Sequence, residues 1–183
     1  MRVAIYGGSF NPPHVGHAMV ASWLRWTGRV DAVWLLPSFS HPFAKDLLPF
    51  EERVAMCEAV AGDIGVEVCT LESSLEVPSY TIDVLRALTQ LHPQHDFHWV
   101  AGSDVLDELP RWKAWDEIAR DYAPILVGRQ GYPCPDGAIA FPEVSSTDIR
   151  ARLARGAPAD HLVLRSVRPF LERYRSGPKP TKP

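Results

Sequence analysis

Val3-Ala4-Ile5-Tyr6-Gly7-Gly8-Ser9-Phe10-Asn11-Pro12-Pro13-His14-Val15-Gly16-His17 is the stretch on which the fold turns. Val3 to Tyr6 is a short apolar run and reads as a strand, while His14 or Val15 to Trp26 has apolar residues at helical spacing. The loop between them holds two glycines, which let a backbone approach a phosphate closely. The helix that follows turns free N–H groups and the positive end of its dipole toward an anion. His14 and His17, at i and i+3, share one face of the first turn, and Gly16 between them leaves room for a ligand. Two imidazole donors aimed at one place suit a phosphate whose charge grows during reaction. The loop fits neither GxGxxG nor GxxxxGK[ST], and neither pattern occurs elsewhere, so hydride transfer on a conventional dinucleotide fold and P-loop hydrolysis both lose support.

Outward from this loop, short apolar runs alternate with longer amphipathic ones, which predicts β-α-β units and a mostly parallel sheet. Strands are expected at Ala32–Leu36, Val66–Cys69, Phe97–Ala101, Ile125–Val127 and Ala138–Phe141, and helices at Phe50–Ala61 and Ser79–Leu91. Helical turns are expected over Val105–Leu109 and Trp115–Arg120, a basic helix over 147–155 and a final helix over Val167–Tyr174. Ser38–Pro49 has prolines and aromatics without periodicity and reads as a loop. Residues 1–175 read as a single domain and 176–183, with Gly177 and three prolines, as a disordered tail.

The 183 residues, 46% hydrophobic and 22% charged, suffice for one domain that buries roughly two-thirds of its unfolded surface. Global disorder is excluded, and no apolar run reaches the roughly 18 residues of a membrane span. Met1 to Ile5 enters a strand without the layout of a signal peptide, and Cys57, Cys69 and Cys134 form no CxxC pair. The expectation is a cytoplasmic protein with no membrane partner. The net charge of −3 argues against an extended nucleic-acid face. That sum hides an asymmetry: residues 1–145 carry a net −9 and residues 146–183 a net +6. The basic block reads either as a solvated face and tail or as a segment that meets a phosphorylated small molecule.

Two further stretches carry chemistry. In Val144-Ser145-Ser146-Thr147-Asp148-Ile149-Arg150, Ser and Thr suit an N-cap and Asp148 the first turn, but Arg150 opposes the dipole there. A bound anion would relieve that conflict; a capped helix with a solvated arginine is the alternative. Gly102-Ser103-Asp104 follows the fourth strand, where a carboxylate either accepts from ribose hydroxyls or caps a turn. Trp112 and Trp115, three apart, by themselves indicate core packing. His92, His95 and His98 invite a metal reading, yet Pro93 and the strand at Phe97 break the geometry that would align them, so a polar loop is preferred and no metal site is assigned.

GGSFNPPHVGH resembles the G-[GT]-x-F-[DN]-P-x-H-x-G-H signature of the nucleotidyltransferase superfamily, and VSSTDIR resembles its [IV]-S-[ST]-T-x-[IL]-R motif. Pro78-Ser79-Tyr80-Thr81-Ile82-Asp83 and Leu109-Pro110-Arg111-Trp112-Lys113-Ala114-Trp115 are similar to patterns of the bacterial nicotinate-nucleotide adenylyltransferases. The resemblance runs from Val3 to about Tyr174. It implies an α/β, Rossmann-like doubly wound sheet of five to six mostly parallel strands, and adenylyl transfer from ATP to nicotinate mononucleotide in NAD biosynthesis. It implies His14, His17 and Arg150 as catalytic residues. Gly7, Gly8, Ser9, Phe10, Lys45, Gly102, Asp104, Ser146 and Thr147 would bind ATP. Trp112 would stack on the pyridine ring, with Thr81 and the backbone near Trp112 and Lys113 reading its carboxylate. Mg²⁺ would arrive with ATP.

The sequence departs from the family at two places. Its PPHK loop becomes His41-Pro42-Phe43-Ala44-Lys45, and Asn11 stands where many bacterial members have Asp. Asn11 can still fix the loop through hydrogen bonds to backbone. Rival readings are a nicotinamide-mononucleotide or pantetheine-phosphate adenylyltransferase, or a catalytically silent nucleotide-binding protein of this fold. A homo-oligomer stays open.

Overall fold

Arg2–Gly8 (β1) runs through the middle of the molecule because Val3, Ala4 and Ile5 can be covered on both faces, and all three are fully buried. The computed structural model describes residues 1–39, 47–134 and 138–175. Lys45 and the expected tail at 176–183 lie outside the described residues.

The chain continues through Val15–Trp26 (α1), Ala32–Pro37 (β2), Phe50–Ile64 (α2), Glu67–Val68 (β3), Thr81–Leu91 (α3), Asp96–Gly102 (β4), Trp115–Asp121 (α4), Ile125–Arg129 (β5), Ala140–Phe141 (β6), Ser146–Ala154 (α5) and Glu172–Arg175 (α6). The six strands form one sheet in the order β3-β2-β1-β4-β5-β6, and every pairing is parallel. Val3 lies between Ala32 of β2 and Phe97 of β4, which fixes the register at the centre. The chain order reverses between β1 and β4. In a doubly wound sheet the crevice beyond the strand ends at that point receives the ligand.

Strand alternation sorts the core into two layers. Ala4, Val33, Leu35, Val100 and Val127 pack with α1, α2, α5 and the C-terminal segment. Val3, Ile5, Leu36, Phe97, Trp99 and Ala101 pack with α3 and α4 on the opposite face. No helix among the described residues is long and apolar enough to cross a membrane.

Several elements differ from the sequence expectation, among them β6, which is cut from Ala138–Phe141 to Ala140–Phe141. The third strand shrinks to two residues at the sheet edge, where it pairs only with Trp34 and Leu35. The turn expected over Val105–Leu109 is split into 3₁₀ turns at Ser103–Val105 and Leu109–Arg111. The final helix is 3₁₀ over Arg165–Leu171 and becomes α-helical only for its last turn, because Pro169 has no N–H to give to an α-helical ladder.

Candidate active site

A cavity of about 260 Å³ opens where the switch point predicts it, beyond the ends of β1, β4 and β5. Gly7, His14, His17, Gly102, Asp104 and Trp112 line it, so six of the residues anticipated from sequence meet there. Trp99 and Arg129 line it too and were not anticipated.

The loop after β1 is shaped by its own aromatic residue. Phe10 adopts a left-handed backbone, φ 46°, which a non-glycine residue occupies at a cost of roughly 1–2 kcal/mol. Burial of its ring offsets this cost: Phe10 is 1% exposed and stands edge-on to His17 at 4.9 Å. Its side chain is therefore core, and only its backbone is offered to the loop. Gly7 is required by the close approach of Trp99, since any side chain there would run into the indole.

The two histidines stack, their centroids 3.7 Å apart. The backbone N–H of His14 donates to His17 Nδ1 at 3.1 Å. With Nδ1 occupied as acceptor, neutral His17 carries its proton on Nε2 and keeps a donor for a ligand. Both rings are held neutral at pH 7. Burial pushes His14 down to about 4, and the Arg129 cation adds to this. His17 lies well below its ordinary 6.5 through burial, then through His14 and Arg129.

Residues far along the chain hold this loop in place. Buried Arg53 on α2 donates to Ser9 O at 2.9 Å and to Leu48 O at 3.0 Å. Asn11 Oδ1 accepts from the Tyr174 hydroxyl at 2.7 Å and from the Leu48 N–H at 3.3 Å. Asn11 thus does the loop-fixing expected of it, with its side chain joining the segment before α2 and the last helical turn.

The N-terminus of α5 also grips the loop. Ser145 is the N-cap and accepts from the Thr147 N–H at 3.2 Å. Ser146 Oγ donates to Pro12 O at 2.8 Å, and Arg150 Nη1 donates to Asn11 O at 2.7 Å. Arg150 Nη2 donates to Thr147 Oγ1 at 3.3 Å. The charge conflict read from the sequence at Arg150 is thus met first by a backbone carbonyl. Ser146, Thr147 and Arg150 are not among the cavity-lining residues, nor are Gly8, Ser9 and Phe10.

On the opposite wall, Arg129 Nη1 pairs with Asp104 Oδ2 at 2.7 Å, and the Arg129 N–H donates to Ser103 Oγ at 2.9 Å. Arg129 ends β5, two residues past the strand end read from sequence. Its signal was position alone, the carboxyl end of a strand beside the switch point. Trp112 stands edge-on to Trp99 and to Trp115, each at 6.4 Å. Thr81, the first residue of α3, is not a lining residue. Lys113 Nζ pairs with Asp83 at 2.9 Å and lies over the Tyr80 ring at 4.6 Å, so its ammonium is committed at the surface. His92 and His95 pack around Trp34 near the start of β4, and His98 Nδ1 is 3.3 Å from Ala123 O.

The cytidylyltransferase-like family matches residues 5–152, which places this doubly wound sheet and its histidine pair among the nucleotidyltransferases. A protein of Anaeromyxobacter sp. (strain K) named a probable nicotinate-nucleotide adenylyltransferase is 46% identical over 175 residues, covering 93% of this chain and 94% of that protein. The Myxococcus xanthus protein of the same name is 42% identical, covering 91% and 90%. The fold is shared with Plasmodium falciparum nicotinic acid mononucleotide adenylyltransferase complexed with NaAD, at 20% identity, a TM-score of 0.80 and 96% of each chain. This chain belongs to the nicotinate-nucleotide adenylyltransferase family, and it is an enzyme of nucleotidyl transfer.

Proposed function

We propose that residues 1–175 form one catalytic domain that transfers the adenylyl group of ATP to nicotinate mononucleotide, giving nicotinate adenine dinucleotide and pyrophosphate. The observation that carries this reading is the stacked, neutral histidine pair at the mouth of the β1–β4 crevice. A phosphate oxygen of the mononucleotide attacks the α-phosphorus of ATP. The bond from that phosphorus to the bridging oxygen breaks, and pyrophosphate leaves with the electron pair. No covalent enzyme intermediate is needed, so catalysis is positioning plus electrostatic stabilisation.

His17, with its proton on Nε2, donates to the α-phosphate as charge accumulates there, and His14 sits beside it on the phosphate chain. The glycine loop offers backbone N–H groups to the phosphates. Ser146 and Arg150 hold the loop and, with Thr147 and Lys45, supply donors and charge toward the β- and γ-phosphates. Asp104 accepts from a ribose hydroxyl, Trp112 stacks on the pyridine ring, and Thr81 with the backbone at Trp112 and Lys113 reads its carboxylate.

Among the described residues no group of three or more His, Cys, Asp and Glu is placed to hold a metal ion, and the lining carboxylate of Asp104 is paired with Arg129. This donor set suits Mg²⁺ that arrives on the ATP phosphates with most of its waters retained. The enzyme is read as cytoplasmic, with small-molecule partners only.

The test is pyrophosphate release from purified protein, ATP and Mg²⁺ with nicotinate mononucleotide, nicotinamide mononucleotide and phosphopantetheine offered in turn. Release with nicotinate mononucleotide as the best acceptor is the expected result. No release with either pyridine mononucleotide would overturn the reading.

A further inference from the structure

Trp99 occupies a position that packing alone does not explain. It lies on β4 opposite Ile5 of β1, only 8% exposed, and its indole lines the cavity beside Trp112. The benzo edge of the ring lies close over Gly7, and the glycine is what admits it. Its Nε1–H is fully buried and has no hydrogen-bond partner among the described residues. Buried donors are almost always satisfied, so an orphan in a cavity wall calls for an acceptor that comes from outside the chain. An indole can donate and cannot accept.

We propose that Trp99 is a specificity-determining residue, whose indole N–H donates to the carboxylate on the pyridine ring of the bound mononucleotide. The inference rests on the proposed reaction and on Trp112 as the platform for that ring. Trp112 stands edge-on to Trp99 with ring centroids 6.4 Å apart, so a ring stacked on Trp112 is a close neighbour of the Trp99 indole. A carboxylate offers an acceptor oxygen whichever way it turns, and the bond is charge-assisted. A carboxamide offers one oxygen and one NH₂. It must hold a single orientation to avoid setting donor against donor, and its bond is neutral. The orphan donor therefore favours the acid over the amide, a preference that the recognition motifs left undecided.

The experiment compares wild type and Trp99→Phe, which keeps an aromatic side chain on β4 but removes the indole N–H together with the outer ring over Gly7, so the acid-to-amide ratio separates the lost donor from the lost packing. Activity is measured with nicotinate mononucleotide and with nicotinamide mononucleotide under saturating ATP and Mg²⁺. We expect kcat/KM for the acid to fall about tenfold, as one charge-assisted bond is lost, while the amide value changes by less than about twofold. An equal fall for both substrates, or an unchanged acid-to-amide ratio, would reduce Trp99 to a packing residue and overturn the inference. As a second readout, in folded wild type labelled with ¹⁵N, the Trp99 Nε1–H resonance should move downfield when nicotinate mononucleotide is added. An unmoved resonance at saturation also overturns the inference, even where the variant does not fold. If wild type turns over neither pyridine mononucleotide, the proposed function itself fails, and that outcome is separate from both.

Discussion

The loop of residues 7–17, which brings Gly7, His14 and His17 to the cavity, is fixed by hydrogen bonds, whereas Trp99 and Trp112 on the other side, with Trp115 edge-on to Trp112, are fixed by apolar and edge-to-face packing. The loop wall draws donors from Arg53, Ser146, Arg150 and Tyr174, and its two histidines are desolvated until both are neutral. The ring wall has Arg129 paired with Asp104 at one side and the Lys113–Asp83 pair out at the surface. The difference fits what the proposed function asks of each side. A phosphate whose charge changes during reaction needs donors that do not reorganise, which requires a rigid, over-determined loop. An aromatic ring that stays chemically unchanged needs only area and a few oriented polar groups.

The largest effect that could break this contrast is on turnover. His17→Ala should lower kcat by about 10²–10⁴ while the circular dichroism spectrum is retained. Near-normal turnover would take His17 out of the mechanism and leave the loop wall a mere scaffold.

The next effect is on acid stability. His14 falls from an ordinary 6.5 in the unfolded chain to about 4 in the folded one, so the unfolded state binds the extra proton between these values. Stability is full above pH 6.5 and is lost as pH falls toward 4, by roughly 3 kcal/mol from this group, and His17 acts in the same direction. Thermal melts of wild type should fall across that window and those of His14→Gln should fall less. Parallel curves would show that the buried ring does not titrate there.

Arg53→Met tests the hydrogen-bonded frame. Two carbonyls lose a charged donor, at a cost of about 2 kcal/mol, a Tm drop of roughly 4–8 °C for a chain of this size. A larger KM for ATP should accompany it. An unchanged Tm would mean that the loop stands without its clamp.

On the ring wall, Trp112→Ala should raise KM for the mononucleotide about tenfold and leave kcat within about threefold, the pattern of lost uniform binding. An unchanged KM would return Trp112 to the core. The smallest effect belongs to Lys113→Ala, because the pair with Asp83 has its lysine about half exposed. Stability should change by no more than about 0.5 kcal/mol by denaturant melt. A larger loss would mean that the surface pair fixes the ring wall after all.

The same contrast explains what could be read from the sequence. β1, α1 and the histidine pair were legible because the chemistry lies within fifteen consecutive residues and each part sets its neighbour's geometry. The alternation of β4 and β5 with helices predicted the sheet, but the final helix was expected as one run over Val167–Tyr174, because apolar spacing alone takes no account of the break that Pro169 imposes. Arg129 was missed because a lone arginine after an apolar run looks like a solvated strand end until Asp104 is beside it. The bond from Arg150 to the carbonyl of Asn11 was not legible because the two lie 139 residues apart, and the sequence offered only a bound anion or solvent for that charge. Trp99 was hidden for a similar reason: the sequence shows an aromatic in a strand and nothing of an indole N–H without an acceptor.

The tie between Tyr174 and Asn11 spans 163 residues, and it has a consequence for how the protein comes into being. The paired histidines are made well before the side chains at 146, 150 and 174 that clasp the loop carrying them. Until synthesis has passed residue 174, a nascent chain lacks the last member of that clasp. A chain cut short before that turn therefore carries the signature without the hydrogen bond from Tyr174 that completes the frame around it.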